Sequence, residues 1–79
     1  MKKYKGILEL KNGELFIKNI NTRRLVKVPY YCKGAIYKES CGAFKGEFGY
    51  NIHLNEWTFT SWQNTKHEIN VGDLIEFYK

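Results

Sequence analysis

Short stretches along the chain alternate between apolar and polar residues, and turn-forming residues separate them. A period of two is the mark of β-strands with one buried face. The pattern is clearest at Leu8-Glu9-Leu10-Lys11-Asn12-Gly13-Glu14-Leu15-Phe16-Ile17-Lys18. Asn-Gly suits a two-residue type I′ turn, which needs positive φ at both positions. That turn predicts a hairpin in which Lys11 faces Glu14, Leu10 faces Leu15 and Leu8 faces Ile17. One side is then Leu8, Leu10, Leu15 and Ile17. The other carries Glu9, Lys11, Glu14, Phe16 and Lys18.

Asn21-Thr22-Arg23-Arg24 reads as the next turn and Leu25-Val26-Lys27-Val28 as a short strand. Pro29 ends that strand or places it at an edge. Residues 30–40 fit either a strand around Ala35-Ile36-Tyr37 or a helical turn, and Cys41-Gly42 reads as a break. A second hairpin spans Phe44 to Trp62, with Phe44, Phe48, Tyr50, Ile52 and Leu54 on one side. A turn at Asn55-Glu56 sets Leu54 against Trp57, Ile52 against Phe59 and Tyr50 against Ser61, and lays Trp62 over Gly49. Gln63 to Asn70 reads as a polar loop, Val71-Gly72-Asp73 as a turn, and Leu74 to Tyr78 as the last strand.

No amphipathic helix is legible. The expectation is an all-β fold in one domain over residues 1–79: a small SH3-like or OB-like barrel of about five to six antiparallel strands, since closure removes exposed edges. The run Val71-Gly72-Asp73-Leu74-Ile75-Glu76-Phe77 resembles the last strand of many such barrels. Seventy-nine residues bury only about 60% of the surface of the unfolded chain. Thirteen aromatic residues (six Tyr, five Phe, two Trp) supply the bulk that so small a core needs.

Charge adds a direction. Residues 1–45 hold eleven Lys/Arg and three Asp/Glu, and residues 46–79 hold two Lys/Arg and five Asp/Glu, so a net +8 precedes a net −3. This asymmetry suggests an anion-attracting surface, provided the fold keeps the two parts apart. No apolar run is long enough for a signal peptide or a membrane span, and a cytoplasmic location is expected. Cys32 and Cys41 are too few for a disulfide framework and read as free thiols.

Candidate chemistry is sparse. Cys32, Cys41, His53 and His67 have the count of a Cys₂His₂ zinc site, but structural sites pair their ligands at short spacing. Here eight, eleven and thirteen residues intervene, so no metal and no cofactor is expected. No motif joins a cysteine or serine (Ser40 and Ser61 included) to a histidine base. Arg23, Arg24, His53, His67 and Glu68 could equip a small basic ribonuclease by residue type alone. No catalytic residue is assigned, and the chain is expected not to be an enzyme or to act on a small-molecule substrate.

Lys45-Gly46-Glu47-Phe48-Gly49-Tyr50, with Asn51-Ile52-His53-Leu54, resembles the lysine-glycine-aromatic strand of cold-shock domains over about ten residues. The resemblance implies exposed aromatics that stack on unpaired bases and lysines that meet phosphates. Glu47 departs from that motif, and the alternation turns Phe48 and Tyr50 toward the core. In its richness in Lys, Asn, Ile and Tyr, the chain also resembles small proteins of phages and mobile elements of AT-rich bacteria. That likeness implies a regulator or inhibitor of a host macromolecule.

The reading placed first is a non-enzymatic binder of an acidic protein partner. Lys18, Arg23, Arg24, Lys27 and Lys33 supply attraction, and Phe16, Tyr31 and Trp62 supply anchors. Single-stranded nucleic acid is the alternative partner, and no membrane contact is expected. Tyr30, Tyr37 and Tyr78 are further outward candidates, against the competing reading that such rings complete a small core.

Overall fold

The computed structural model describes residues 1–39 and 42–79. Eight strands form one antiparallel sheet: β1 (Lys3–Lys11), β2 (Glu14–Lys18), β3 (Leu25–Lys27), β4 (Cys32–Lys38), β5 (Gly42–Asn51), β6 (Glu56–Ser61), β7 (Lys66–His67) and β8 (Leu74–Tyr78). Their order across the sheet is β3-β2-β1-β8-β4-β5-β6-β7. The all-β expectation holds. The strand number is corrected from five or six to eight, and the sheet is not closed.

The first hairpin has the register expected from Asn12-Gly13, with Lys11 opposite Glu14, Leu10 opposite Leu15 and Leu8 opposite Ile17. Both turn residues have positive φ, 52° and 77°, as a type I′ turn requires. Leu8, Leu15 and Ile17 are fully buried, while Leu10 lies at the rim and is exposed.

The second hairpin keeps its faces but changes partners. Tyr50 pairs with Trp57, Phe48 with Phe59 and Gly46 with Ser61. The turn is Ile52–Asn55 rather than Asn55-Glu56. Asn51 Oδ1 accepts hydrogen bonds from the backbone N–H groups of His53 and Leu54, and Asn55 takes the positive φ of 51°. Ile52 and Leu54 are therefore exposed turn residues instead of core. Trp62 lies beside Lys45, to whose carbonyl its N–H donates at 3.0 Å. Gly49 is covered by the ring of Tyr31 instead.

Residues 32–38 settle as strand β4, and the expected polar loop contains β7. Ser40 and Cys41, and with them the expected break and any pairing of Cys32 with Cys41, lie outside the described residues.

The sheet is rolled so that one face looks inward. A flat sheet would be about 10 Å thick, whereas the smallest dimension of the molecule is 25 Å. Leu15 and Ile17 from β2 share a single buried cluster with Phe48 and Phe59 from β5 and β6, although β1, β8 and β4 lie between them in the sheet. Gly34 and Gly46 pair, and at each the backbone of a neighbouring strand comes close. A Cβ on Gly34 would stand 2.2 Å from the carbonyl oxygen of Glu76, and one on Gly46 would stand 2.1 Å from that of Thr60.

The segment after β7 crosses the open mouth to reach β8, and Ile69 packs on the core. The Gly72 N–H donates to Leu8 O at 2.9 Å, and the Leu8 N–H donates to Asp73 O at 2.8 Å. Lys38 Nζ clamps this segment, 2.8 Å from Asp73 Oδ2 and 3.0 Å from Glu68 O. Beside this segment, Trp57 Nε1 donates to Gly13 O at 3.1 Å and ties the second hairpin to the turn of the first. No helix among the described residues is long and apolar enough to cross a membrane.

Candidate functional site

The last strand in sequence, β8, lies at the middle of the sheet, between β1 and β4. This places an acidic strand among basic ones. Ile75 and Phe77 point into the core, so Leu74, Glu76 and Tyr78 point outward. Reading across the outer face, Lys5, Glu76, Ala35 and Lys45 follow one another in register, with Trp62 beyond Lys45. The neighbouring row runs through Lys3, Tyr78 and Glu47, with Lys33 beside Glu47.

Glu76 is buried although it faces out. Tyr37 Oη donates to its Oε1, and Lys3 Nζ stands 3.8 Å from its Oε2. The Tyr37 phenol is pushed above its ordinary range, first because its proton is held by Glu76, then by burial and by the charge of Glu76. A raised phenol pKa means the hydrogen bond is intact throughout the neutral range. Its contribution is lost only as pH climbs through the raised value.

Because Ala35 is small, a hollow of about 190 Å³ opens above it. Trp62 and Tyr78 form its walls, and Lys33 and Lys45 its rim. A second hollow, lined by Tyr31, Lys33, Glu47, Tyr78 and Lys79, adjoins it through Lys33 and Tyr78. Together they make a groove along β4. Three rings reach solvent there: Tyr31 (69% exposed), Trp62 (56%) and Tyr78 (39%). Trp62 is held by its bond to Lys45 and by the turn that follows it. In that turn Ser61 N–H donates to Thr65 O and Asn64 N–H to Ser61 O, both at 2.9 Å.

Of the eight expected contact residues, Tyr31, Lys33 and Trp62 line this groove. Phe16, Lys18 and Lys27 lie on the outer face of the β2–β3 wing, with β1, β8, β4 and β5 between them and β6. Phe16 is half-buried between Glu9 and Lys27. Lys27 is engaged, 2.9 Å from Glu14 Oε1, and that hydrogen bond raises its pKa against a small opposing effect of desolvation. Arg23 and Arg24 are exposed in the β2–β3 turn, which Asn19 Oδ1 organises by accepting from the N–H groups of Asn21 and Thr22. Sequence reasoning named Tyr78 only among outward candidates and left out Lys45, Lys3 and Ala35. The alternation Leu74, Glu76, Tyr78 was the available signal for Tyr78. Nothing local shows which strands flank β4.

Phe48, the centre of the cold-shock-like motif, is fully buried against Phe59 at a centroid distance of 4.7 Å. Tyr50 stacks on Tyr30 at 4.9 Å. The motif thus serves the interior here, and the exposed rings come from the residue before β4 (Tyr31), the residue after β6 (Trp62) and the end of β8 (Tyr78). Cys32 is half-buried, and burial pushes its thiol pKa up to about 11, so it is a protonated thiol at neutral pH. Among the described residues, no group of three or more His, Cys, Asp or Glu is placed to hold a metal ion.

His67 turns its ring onto Phe44, 4.2 Å between centroids. His53 stands exposed in the β5–β6 turn. The His67 Nε2 is buried with no hydrogen-bond partner among the described residues, a situation that costs about 1–3 kcal/mol. Replacing it with an apolar ring removes that cost. His67→Phe is expected to leave the urea midpoint unchanged or to raise it by up to about 1 kcal/mol of stability. A loss above about 1 kcal/mol would show that the imidazole makes a needed polar contact.

No protein-family model, curated protein or solved structure matches this chain.

Proposed function

We propose that this chain is a non-enzymatic binding domain that docks an acidic protein partner in the groove along β4, as a cytoplasmic regulator or inhibitor of that partner. In this reading the rolled sheet is the scaffold that SH3-like and OB-like small barrels provide, displaying side chains on a rigid outer surface. One observation carries the proposal. Two exposed rings, Trp62 and Tyr78, flank a small-residue floor and are rimmed by Lys33 and Lys45. Neither lysine is in an ion pair among the described residues, whereas Lys3, Lys27 and Lys38 each are. Trp and Tyr are the usual anchors of interface hot spots, and rim lysines steer an acidic partner toward them.

Single-stranded nucleic acid is the second reading, because rings and lysines interleave along the groove. Glu47 weighs against it. It sits on the groove wall across from Lys33, where a phosphate backbone, charged at every step, would have to pass it, whereas a peptide segment can set an uncharged residue there.

The test is a tagged pull-down from a bacterial lysate, with and without nuclease, run in parallel with Trp62→Ala. A stoichiometric protein that survives nuclease and is lost with Trp62→Ala is the expected result. The purified pair should then bind at least about 30-fold more weakly when Trp62 is removed, as for a residue worth about 2 kcal/mol. Recovery of nuclease-sensitive material alone, with affinity that falls steeply with salt, would transfer the groove to the second reading.

A further inference from the structure

The hollow over Ala35 specifies more than an acidic partner. At about 190 Å³ it falls below the roughly 300–1,000 Å³ of small-molecule sites and is a place for one side chain. Its floor is the Ala35 methyl group and the backbone at Gly34, and its walls are the indole of Trp62 and the phenol ring of Tyr78. The one carboxylate at its base, Glu76, is already engaged by Tyr37 and Lys3. A polar or charged group entering there would lose its hydration with little in return. An apolar ring would gain contact on three sides.

The rim makes the opposite demand. Lys45 stands directly beside Ala35, and Lys33 lies two residues along β4 on the same face. The groove from Tyr31 to Ala35 covers four residue steps of strand, about 13 Å, which suits an extended segment. In such a segment side chains alternate in direction. A residue pointing down into the hollow therefore has neighbours pointing away from the surface. The residues two positions away on either side point down again beside the rim, at the step that separates Lys33 from Ala35.

We infer that the partner docks through a short extended segment that carries one aromatic side chain with a carboxylate two positions away on either side, all three on the face toward the groove. The ring fills the hollow between Trp62 and Tyr78, and the carboxylates meet Lys33 and Lys45. This rests on the protein-docking reading above, and it names the chemistry that the docked segment must have.

Four probes separate the terms: three peptides whose named residues alternate with serine, so that all three share one face (a central Asp-Phe-Asp, Asp-Ala-Asp or Lys-Phe-Lys), and oligothymidylate. Binding is read from the side-chain N–H resonance of Trp62 in a ¹⁵N spectrum of the full chain. The resonance of Trp57, whose indole N–H is hydrogen-bonded to Gly13 O and which does not line the hollow, serves as the internal control. The Asp-Phe-Asp peptide should shift Trp62 and leave Trp57 unmoved. It should bind at least about tenfold more tightly than either of the other peptides. Ala35→Leu, which fills the hollow, should erase the advantage of phenylalanine over alanine. Lys45→Glu should erase the advantage of aspartate over lysine, and it keeps the test open should Ala35→Leu fail to fold.

Equal binding of the Asp-Phe-Asp and Asp-Ala-Asp peptides would overturn this inference and leave charge-driven docking standing. A shift produced by oligothymidylate and by no acidic peptide would overturn both. No shift of Trp62 with the Asp-Phe-Asp peptide at millimolar concentration would also overturn the inference.

Discussion

Phe48→Ala is expected to cost about 3–5 kcal/mol of stability. Phe48 is fully buried and packs on Phe59, and its ring edge lies where a Cβ on Gly34 would stand. It therefore joins β5 to both β6 and β4. Truncating a buried phenylalanine costs about 3–5 kcal/mol, from lost transfer free energy and from the cavity left behind. Folded domains have about 0.05–0.15 kcal/mol of stability per residue, or roughly 4–12 kcal/mol at this size. The substitution thus removes between about a quarter of the stability and all of it. Urea unfolding followed by tryptophan fluorescence should show either a much lower midpoint or no folded baseline. A loss below about 1.5 kcal/mol would mean that the core is not organised around this ring.

The second large effect is expected at Gly46, from adding one methyl group. The new Cβ would lie 2.1 Å from Thr60 O and 2.7 Å from Ser61 Cα. Both are backbone atoms, so no side chain can swing away, and β6 itself has to move. Overpacking usually costs about 1–3 kcal/mol where side chains can adjust. Here the cost should reach or exceed the upper end, and Gly46→Ala should strip amide-exchange protection first from the β5–β6 pairing. The first hairpin, β1–β2, should keep its protection longest. The control is Lys45→Ala, one residue away on the outer face, which should change stability by no more than about 0.5 kcal/mol. Similar losses in the two variants would contradict the close approach at Gly46.

What the sequence could reveal depended on how far apart in the chain the deciding contacts lie. The first hairpin was legible down to its register because Asn12-Gly13 fixes a turn geometry, and the apolar pattern on both sides agrees with it. In the second hairpin the alternation identified Phe59 as inward, and the structure buries it. The partners slipped by four positions because a four-residue turn at Ile52–Asn55 was read as two residues at Asn55-Glu56. An even slip preserves faces and changes neighbours, which is why Trp62 was assigned to Gly49 and is found beside Lys45. The position of β8 was not legible at all. Its pairing with β1 and β4 joins residues some 40–75 positions apart, and no local signal encodes that.

The candidate site suffered the same loss. Trp62, Lys33 and Tyr31 could be singled out as exposed aromatic or basic residues. Their meeting with Tyr78 and Lys45 required the order β8-β4-β5-β6. Charge asymmetry along the chain did not become a basic half and an acidic half, because Glu76 is inserted between Lys5 and Ala35. The result is one buried carboxylate, held by Tyr37 and Lys3, on an outer face that also carries Lys5 and Lys45.

The central place of β8 also bears on biosynthesis. Strands β1 to β3 and β4 to β7 leave the ribosome first, as two sets of neighbours in sequence. They have no ladder between them until Leu74–Tyr78 arrives to pair with both. Contacts of such long sequence separation form slowly. A nascent chain of this protein therefore stays in two unsealed pieces, with Leu8, Ile36 and Phe48 open to chaperones and proteases, until nearly all of these residues have been translated.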